Sequence, residues 1–417
     1  MVKKIIDWES GAELEEHTKK KHAILGDYFR KYLITRCQLP QQEKFRLAII
    51  DGFSGAGLYK CGSFGSPLIF VDVLTKTTCE INLSRATQGL RPITIECLLI
   101  LNDEYKTTIE QLRKNISPLL AAIKDDDQNL RIEPEFYNHS FKEIYPEIKK
   151  RLLTAKCRNV IFNLDQCGYS DVPTEIIRDI INSWSSAEVL LTFMIGSLLT
   201  YLSPKKDASG VPLEPIVRNK IDDLLENGDV LLGKKEWLGE AEKIVYSHYK
   251  NCATYVSPFS INNPKGWRYW LMHFANSYRA RQVYNDILHK DGESQAHFGR
   301  AGLNMLSYDP QDKVQLYLFN KNSRQSAKEA LYDDIPRFVA ESGDTLSMHD
   351  FYAAAYSETP AHSDDIHEMI MKNPDMEVIT ETGGKRKQPN TIKASDTLKL
   401  RSQKSMFFMF TDMTNKK

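Results

Sequence analysis

Residues 45–57, FRLAIIDGFSGAG, constrain the fold more than any other stretch of the chain. Leu47, Ala48, Ile49 and Ile50 form a short apolar run that ends in an acid, Asp51, and glycines follow at Gly52, Gly55 and Gly57. Such a run, bounded by glycines, predicts a strand buried on both faces that leads into a tight turn. Glycine there lets the backbone adopt positive φ and approach a ligand closely. The spacing is not the dinucleotide-binding GxGxxG, because counting from Gly55 puts Lys60 where the third glycine belongs. A plainer reading is also open: a strand-to-helix turn in which Asp51 caps the next helix.

The pattern repeats downstream. ITIECLLIL (93–101) predicts a second strand, followed by Asn102, Asp103 and Glu104. RIEPEFYN (131–138) predicts a short third strand, NVIFNLD (159–165) a fourth that again ends in an acid, and EVLLTFMIG (188–196) a fifth. Helical stretches separate them: PLIFVDVLTKT after Pro67, TTIEQLRKNISPLLAAI, FKEIYPEIKKRLL (141–153) and VPTEIIRDIINSW. Strands alternating with helices predict an α/β fold, a mainly parallel sheet with helices on both faces. Ligands of such sheets bind at the carboxyl ends of the strands, where the acids and glycines fall. Residues 12–34 read as an amphipathic helix, with Leu14, Ile24, Leu25, Phe29 and Leu33 at helical spacing. Between 203 and 260 the pattern weakens toward an insertion or lid, and RYWLMHFA (268–275) resumes strand character before the helical RARQVYNDIL.

The last hundred or so residues differ. SAKEALYDDIPRFVAES, SMHDFYAAAYS and SDDIHEMIMKN read as three helices, and MEVITETGGKRKQPNTIKA as two short strands around Gly383-Gly384. Helices followed by a basic hairpin give a winged-helix order, with Lys385, Arg386 and Lys387 at the wing tip. The expected organisation is a helical segment over 1–44 packed on an α/β domain over 45–320, then a winged-helix-like domain over 321–417.

Composition narrows the function classes. Lys plus Arg and Asp plus Glu both number 55 in 417 residues, so any nucleic-acid site must be a local patch. The seven cysteines are scattered without a CxxC pair, which argues against a zinc site, an iron–sulfur cluster or a disulfide framework. The ten histidines lack HExxH or equivalent spacing, so no metal site is expected and a nuclease or other metal-dependent hydrolase has no supporting constellation. The first residues become charged too early for a secretory signal, and VLLTFMIGSLLTYL (189–202) is too short to span a bilayer. The expected setting is a reducing cytoplasm, without membrane association.

An acid before GxxGxG resembles the first motif of class I S-adenosylmethionine (SAM) methyltransferases. Five segments together resemble one family, the bacterial three-Cys-motif partner proteins (TcmP-like). They are HTKKKHAILGDYF (17–29), IIDGFSGAGLYKCGSFGSPLI (49–69), NLDQCGYSDVP (163–173), LLTFMIGSLLTYL (190–202) and YWLMHFANSYRARQVYNDIL (269–288). These proteins are genome-neighbourhood companions of a radical-SAM-like phage family, to which the three cysteines of the name belong. The resemblance implies a Rossmann-like class I SAM-methyltransferase sheet and a protein partner from that phage family; it says less about chemistry.

What the resemblance implies for individual residues is uneven. Asp51, Gly52, Phe53, Gly55 and Gly57 form the loop that wraps the methionine end of SAM, the carboxylate holding its amino group. An acid is expected at the end of the second strand to grip the ribose. Here Leu101 or Asn102 occupies that register and Asp103 follows, so Asp103 and Glu104 read equally as acids at a helix start. Near the adenine, where relatives carry an acid, Asn138, His139 and Ser140 stand. The candidate catalytic segment is Asp165-Gln166-Cys167-Gly168-Tyr169, which keeps the leading acid and an aromatic residue of a D/N-P-P-Y/F tetrapeptide but neither proline. Asp165 reads as the acceptor for a target amine or as a buried loop organiser, and Tyr169 as a ring to stack on a base. No partner base identifies Cys167 as a nucleophile. His17, Lys21 and His22 sit on one helical segment at i, i+4 and i+5; the resemblance makes His17 and Lys21 part of an N-terminal motif that covers the cofactor mouth or meets phosphate, and a solvated helix face is the other reading.

For nucleic acid, the wing cations Lys385, Arg386 and Lys387 suit phosphate contacts, whereas the helix before them begins Ser363-Asp364-Asp365 and repels phosphate. Winged helices also dock proteins. Arg268, Trp270, Tyr278, Arg279 and Arg281 add basic and aromatic character near the last strands, with Trp270 read as a core residue. Two functions follow as expectations: a SAM-dependent methyltransferase acting on nucleic acid, or a non-catalytic partner that keeps the fold and docks protein or DNA in a phage-related or defence context.

Overall fold

The computed structural model describes residues 8, 11–126, 129–166, 168–196, 198, 215–227, 234–262, 268–290, 295–297, 317–318 and 321–401. Cys167 and residues 1–7, 199–214 and 402–417, which belong to stretches read above, lie outside them. The chain divides into two compact units, 1–300 with 306–321 and 301–305 with 322–417.

The first unit opens with α1 (Glu16–Arg36) and then alternates: β1 (Lys44–Asp51), α2 (Ser66–Thr87), β2 (Thr94–Asn102), α3 (Lys106–Asp126), β3 (Leu130–Tyr137), α4 (Phe141–Thr154), β4 (Asn159–Leu164), α5 (Thr174–Ser183) and β5 (Ser186–Phe193). It continues with α6 (Pro215–Asn227), α7 (Lys234–Lys250), β6 (Tyr255–Asn262), β7 (Arg268–Ala275), α8 (Tyr278–Leu288), β8 (Gln295–His297) and β9 (Tyr317–Leu318). The strands form one sheet in the order β3-β2-β1-β4-β5-β7-β6-β8-β9. From β3 to β5 all neighbours are parallel; β7 runs antiparallel to both β5 and β6. This is the Rossmann-like α/β architecture that the alternation predicts.

Burial on both faces follows from the near-continuous apolar runs. Alternate residues of one strand point to opposite faces. Ala48 and Ile50 of β1 and Leu98 and Ile100 of β2 join one core with Ile144 and Ile148 of α4 and Ile177 and Ile180 of α5. The residues between them, Leu47, Ile49 and Leu99, are equally buried on the other face, where α1 packs against α2 and α8. Asp51 belongs to that second face, beneath α1.

One strand begins where the sequence predicts an insertion. β6 starts at Tyr255, within 203–260, and pairs along its whole length with β7. Pro258 interrupts its sequence pattern, and a proline normally marks an edge strand. Here the missing N–H costs no ladder bond to β8, which pairs only with Phe259, Ser260 and Ile261.

The second unit contains α9 (Lys321–Glu341), β10 (Thr345–Ser347), α10 (Met348–Ala355), α11 (Ser363–Lys372), β11 (Met376–Ile379) and β12 (Thr397–Leu400). The strands form an antiparallel sheet, β10-β12-β11, against a core that includes Leu331, Ile335, Phe351, Ile366, Val378 and Leu398. The three helices lie where the sequence predicts them. The hairpin turns where expected but pairs only briefly. Around the turn at Gly383, Thr380 N donates to Gly384 O at 2.7 Å, Lys385 bridges to Ile379 and Arg386 N donates to Val378 O at 2.9 Å; a 3-10 turn then spans Pro389–Thr391, and the strand that pairs with β11 along its length is β12. Arg386 and Asp396 hold the intervening loop, with two hydrogen bonds of 2.8 and 2.9 Å.

Candidate functional site

The ends of β1, β2 and β4 are tied together by the loops that leave them. Gly52 N donates to Asn163 O at 3.0 Å, and Ser54 N donates to Asn102 O at 2.9 Å. The Asn102 side chain donates to the carbonyls of Gly52 and His139, both at 3.0 Å, and accepts from His139 N. Asn102 therefore stands where a ribose-gripping acid is expected, and its amide is spent on joining three loops. Asp103, one place on, turns toward the glycine loop: its Oδ2 accepts from Gly55 N at 3.1 Å and its Oδ1 from Tyr105 N at 3.0 Å.

Gly55 and Gly57 take φ of 59° and 77°, the left-handed region that favours glycine. A Cβ at Gly57 would lie 2.5 Å from Leu68 and 2.7 Å from Leu112, so the loop packs onto α2 and α3. A Cβ at Gly55 would lie 2.4 Å from the indole of Trp8. Trp8 thus covers the glycine loop, and its ring lies 5.2 Å from that of Tyr59. Phe53 packs against Phe141, their rings 5.8 Å apart, and Ser140 stands half-buried at the start of α4 without capping it through its side chain.

Asp51 is fully buried. Phe53 N approaches its Oδ1 at 3.4 Å, while Oδ2 has no hydrogen-bond partner. Burial pushes its pKa up to about 7, with Ser66 and Asn163 beside it pulling the other way. Its register partner on β4 is Asn163, whose Nδ2 also lacks a partner, as does Nε2 of Gln166. Gln166 Oε1 is occupied, accepting from the backbone of Asp171 and Val172 at 2.9 and 3.2 Å.

Asp165 extends this group at the end of β4. Lys21 of α1 donates to both of its oxygens, at 2.6 and 2.8 Å. Burial alone would raise this carboxyl, but the Lys21 ammonium, with Thr192 and His22 near, holds it below the usual carboxylate range. His22, on the next residue of α1, is driven by burial to about 4 and is neutral at pH 7. The space enclosed by Lys21, His22, Ser66, Asn163, Asp165 and Thr192 is about 10 Å³, room for about one water.

Of the residues singled out in the sequence, Asp51, Asp165 and Lys21 come together here, and Gly52, Gly55, Gly57 and Asp103 line the adjoining loop. Tyr169 does not join them. It is buried in the apolar core 6.1 Å from Phe193 and lines a cavity of about 230 Å³ with Pro173, His248 and Tyr249. His17 lies to one side, stacked on Tyr269 at 4.4 Å and 3.2 Å from Glu15. In the second unit, Lys385 pairs with Glu377 and Arg386 with Asp396, which leaves Lys387 as the cation of the three without an ion pair among the described residues. Asp365 is buried between Arg324 and Lys328, so of the two acids at the start of α11 only Asp364 faces solvent.

Sequence reasoning missed Asn163 and Trp8. The signal for Asn163 was a polar side chain inside the apolar run VIFNL; Trp8 carries no spacing signal. Among the described residues, no group of three His, Cys, Asp or Glu side chains is placed to hold a metal, and no helix is long and apolar enough to cross a membrane. Compared with protein-family models and with curated proteins, the sequence matches none.

Proposed function

We propose that the chain is a SAM-binding, methyltransferase-like protein of the three-Cys-motif partner kind that acts on nucleic acid. The observation that carries this reading is the buried Asp51 carboxyl with its unpartnered Oδ2, beside the unpartnered Nδ2 of Asn163. Unmade bonds of this kind are costly in a protein interior. A ligand with an ammonium and a carboxylate on one carbon, such as the methionine end of SAM, offers a donor to the first and an acceptor to the second. The sheet supports the same reading. A reversed β7 between β5 and β6 separates it from the all-parallel dinucleotide order and is the arrangement expected of a class I methyltransferase. In this reading Asp51 and the Gly52–Gly57 backbone hold the amino-acid end, and Asp103 and Ser140 flank the nucleoside. The cofactor supplies an electrophilic methyl group, and the aromatic cavity beside Tyr169 suits a planar base. The helix and strand order of the second unit supports a winged helix, with Lys387 and its neighbours toward phosphate.

Lys21 on Asp165 and Trp8 over Gly55 favour a second reading, a non-catalytic partner that retains the fold and docks protein or DNA. In it the strand ends are closed by the protein's own side chains.

Calorimetric titration with SAM and S-adenosylhomocysteine tests the first reading. With Asp51 near half-protonated at pH 7, an ammonium beside it favours the ionised form, so binding releases protons and strengthens from pH 6 to 8. No binding, or binding untouched by Asp51→Ala and Gly55→Trp, ends the cofactor assignment. Methyl turnover abolished by Asp165→Ala rules out the second reading.

A further inference from the structure

The other end of the sheet carries a feature that the strand-end site does not use. An open groove of about 880 Å³ runs beneath the amino ends of β1 and β4. Its walls come from four separate segments: the end of α1, the start of β1, the turn between α4 and β4, and the start of α8. Arg36, Lys44, Arg46, Lys156, Arg158 and Arg279 line it, half of the lining residues, and no acid does. In a chain of zero net charge this is a local concentration and not a consequence of basic composition. Lys44 and Arg46 share Glu96 at the rim. Among the described residues, Arg36, Lys156, Arg158 and Arg279 meet no carboxylate within ion-pair distance; Arg36 and Arg279 bond only to the amides of Asn159 and Gln282. Lys156 holds φ of 53° where a helix ends, a position usually left to glycine or asparagine. A lysine there keeps a cation at the groove at a conformational cost.

We propose that this groove docks the phosphodiester backbone of a nucleic acid. Cations spread over four segments along an open channel match charges that repeat along a strand, whereas a single small anion needs convergent donors in an enclosed pocket. The one aromatic lining residue, Phe45, is buried and offers no exposed face for a base. The groove therefore positions a backbone without reading sequence. This inference goes beyond the methyltransferase reading, shares with it only the class of partner, and stands without the cofactor.

Fluorescence anisotropy of the full chain with labelled single-stranded DNA, single-stranded RNA and duplex DNA, across roughly 50–200 mM salt, tests it. K156E/R158E is expected to weaken binding at least about tenfold and to flatten the log–log salt dependence by about two, one for each cation removed from the backbone. R158Q and R279E, both at exposed positions, give smaller losses in the same direction and guard against a folding artefact, with the melting curve as control. Wild-type affinity in folded groove variants, or no binding of any of the three nucleic acids by the wild type, overturns the proposal. So does a loss confined to the wing variant K387E, or inorganic tripolyphosphate bound as tightly as the oligonucleotides. SAM titration of the same variants keeps the two readings apart, because the groove and the cofactor loop lie at opposite ends of the strands.

Discussion

Asp51 and Asn163 are register partners at the ends of adjacent parallel strands; Asn163 lies near enough to the carboxyl to help lower its pKa, yet Oδ2 of Asp51 and Nδ2 of Asn163 each lack a partner at full hydrogen-bond geometry. Two buried polar atoms side by side without partners are unusual in a well-packed sheet. They sit at the point where the strand order reverses direction, the place where ligands of open α/β sheets bind.

Asp51 makes stability depend on pH. Its folded pKa near 7 lies above the ordinary 3.8, so between those values the folded state holds a proton that the unfolded chain has lost. Stability falls as pH rises through that window. Asp51→Asn removes the carboxyl, and the variant is expected to be more stable than wild type at pH 8, with about 4 kcal/mol as the ceiling set by the shift. Urea unfolding from pH 4 to 8 measures it; an unchanged pH slope in the variant contradicts the assignment.

Lys21 and Asp165 work in the opposite sense. The Asp165 carboxyl titrates below 3.8 in the folded state, so the pair stabilises above that value and loses its effect as pH falls through the lowered pKa. Lys21→Met leaves a half-buried carboxylate alone and is expected to cost about 2 kcal/mol at pH 7. The deficit should shrink at pH 3, and equal deficits at the two pH values would count against the pair.

Trp8 and Gly55 define a double-mutant cycle. Gly55→Ala sets a methyl 2.4 Å from the indole and forces alanine into positive φ, for an expected loss of about 3 kcal/mol. In a Trp8→Ala background the clash goes and the φ cost of about 1 kcal/mol remains. Strictly additive losses would show that Trp8 does not cover the loop.

Arg386 is structural in a way its neighbour Lys387 is not. Asp396 is 1% exposed and paired with Arg386, so Arg386→Ala strands a buried carboxylate and is expected to cost about 3 kcal/mol. Lys387→Ala, at an exposed position, should stay within about 0.5 kcal/mol. Thermal melts of the two variants decide this. They also show that weaker nucleic-acid binding by Arg386→Ala cannot be assigned to phosphate recognition unless the fold is first shown intact.

Legibility in the sequence varied by element. β1, β2 and β4 were readable because burial on both faces leaves an unbroken apolar run. β7 matched its expected span, Arg268–Ala275, for the same reason. β6 was hidden by Pro258, whose lost donor matters only where a neighbouring strand needs it, and that depends on the three residues of β8. The C-terminal hairpin pairs only as far as Arg386 before β12 takes over the edge of β11, because the turn residues at Gly383-Gly384 mark where the chain reverses and not how far pairing runs. At the site, Asp51 and Asp165 stood out as acids ending apolar runs, while Asn163, an amide within such a run, looked like part of the strand.

Local chemistry along the chain sets the alternation of strands and helices, the glycine turn after Asp51 and the acids at the strand ends. Each is a local property, fixed by side-chain periodicity and by the φ a residue tolerates. The tertiary structure alone decided that Lys21 closes on Asp165 across 144 residues, that Trp8 lies over Gly55, and that cations from four segments line one groove. Those relations depend on how helices seat against the sheet. Packing over long separations in the chain sets that seating, and no local pattern records it.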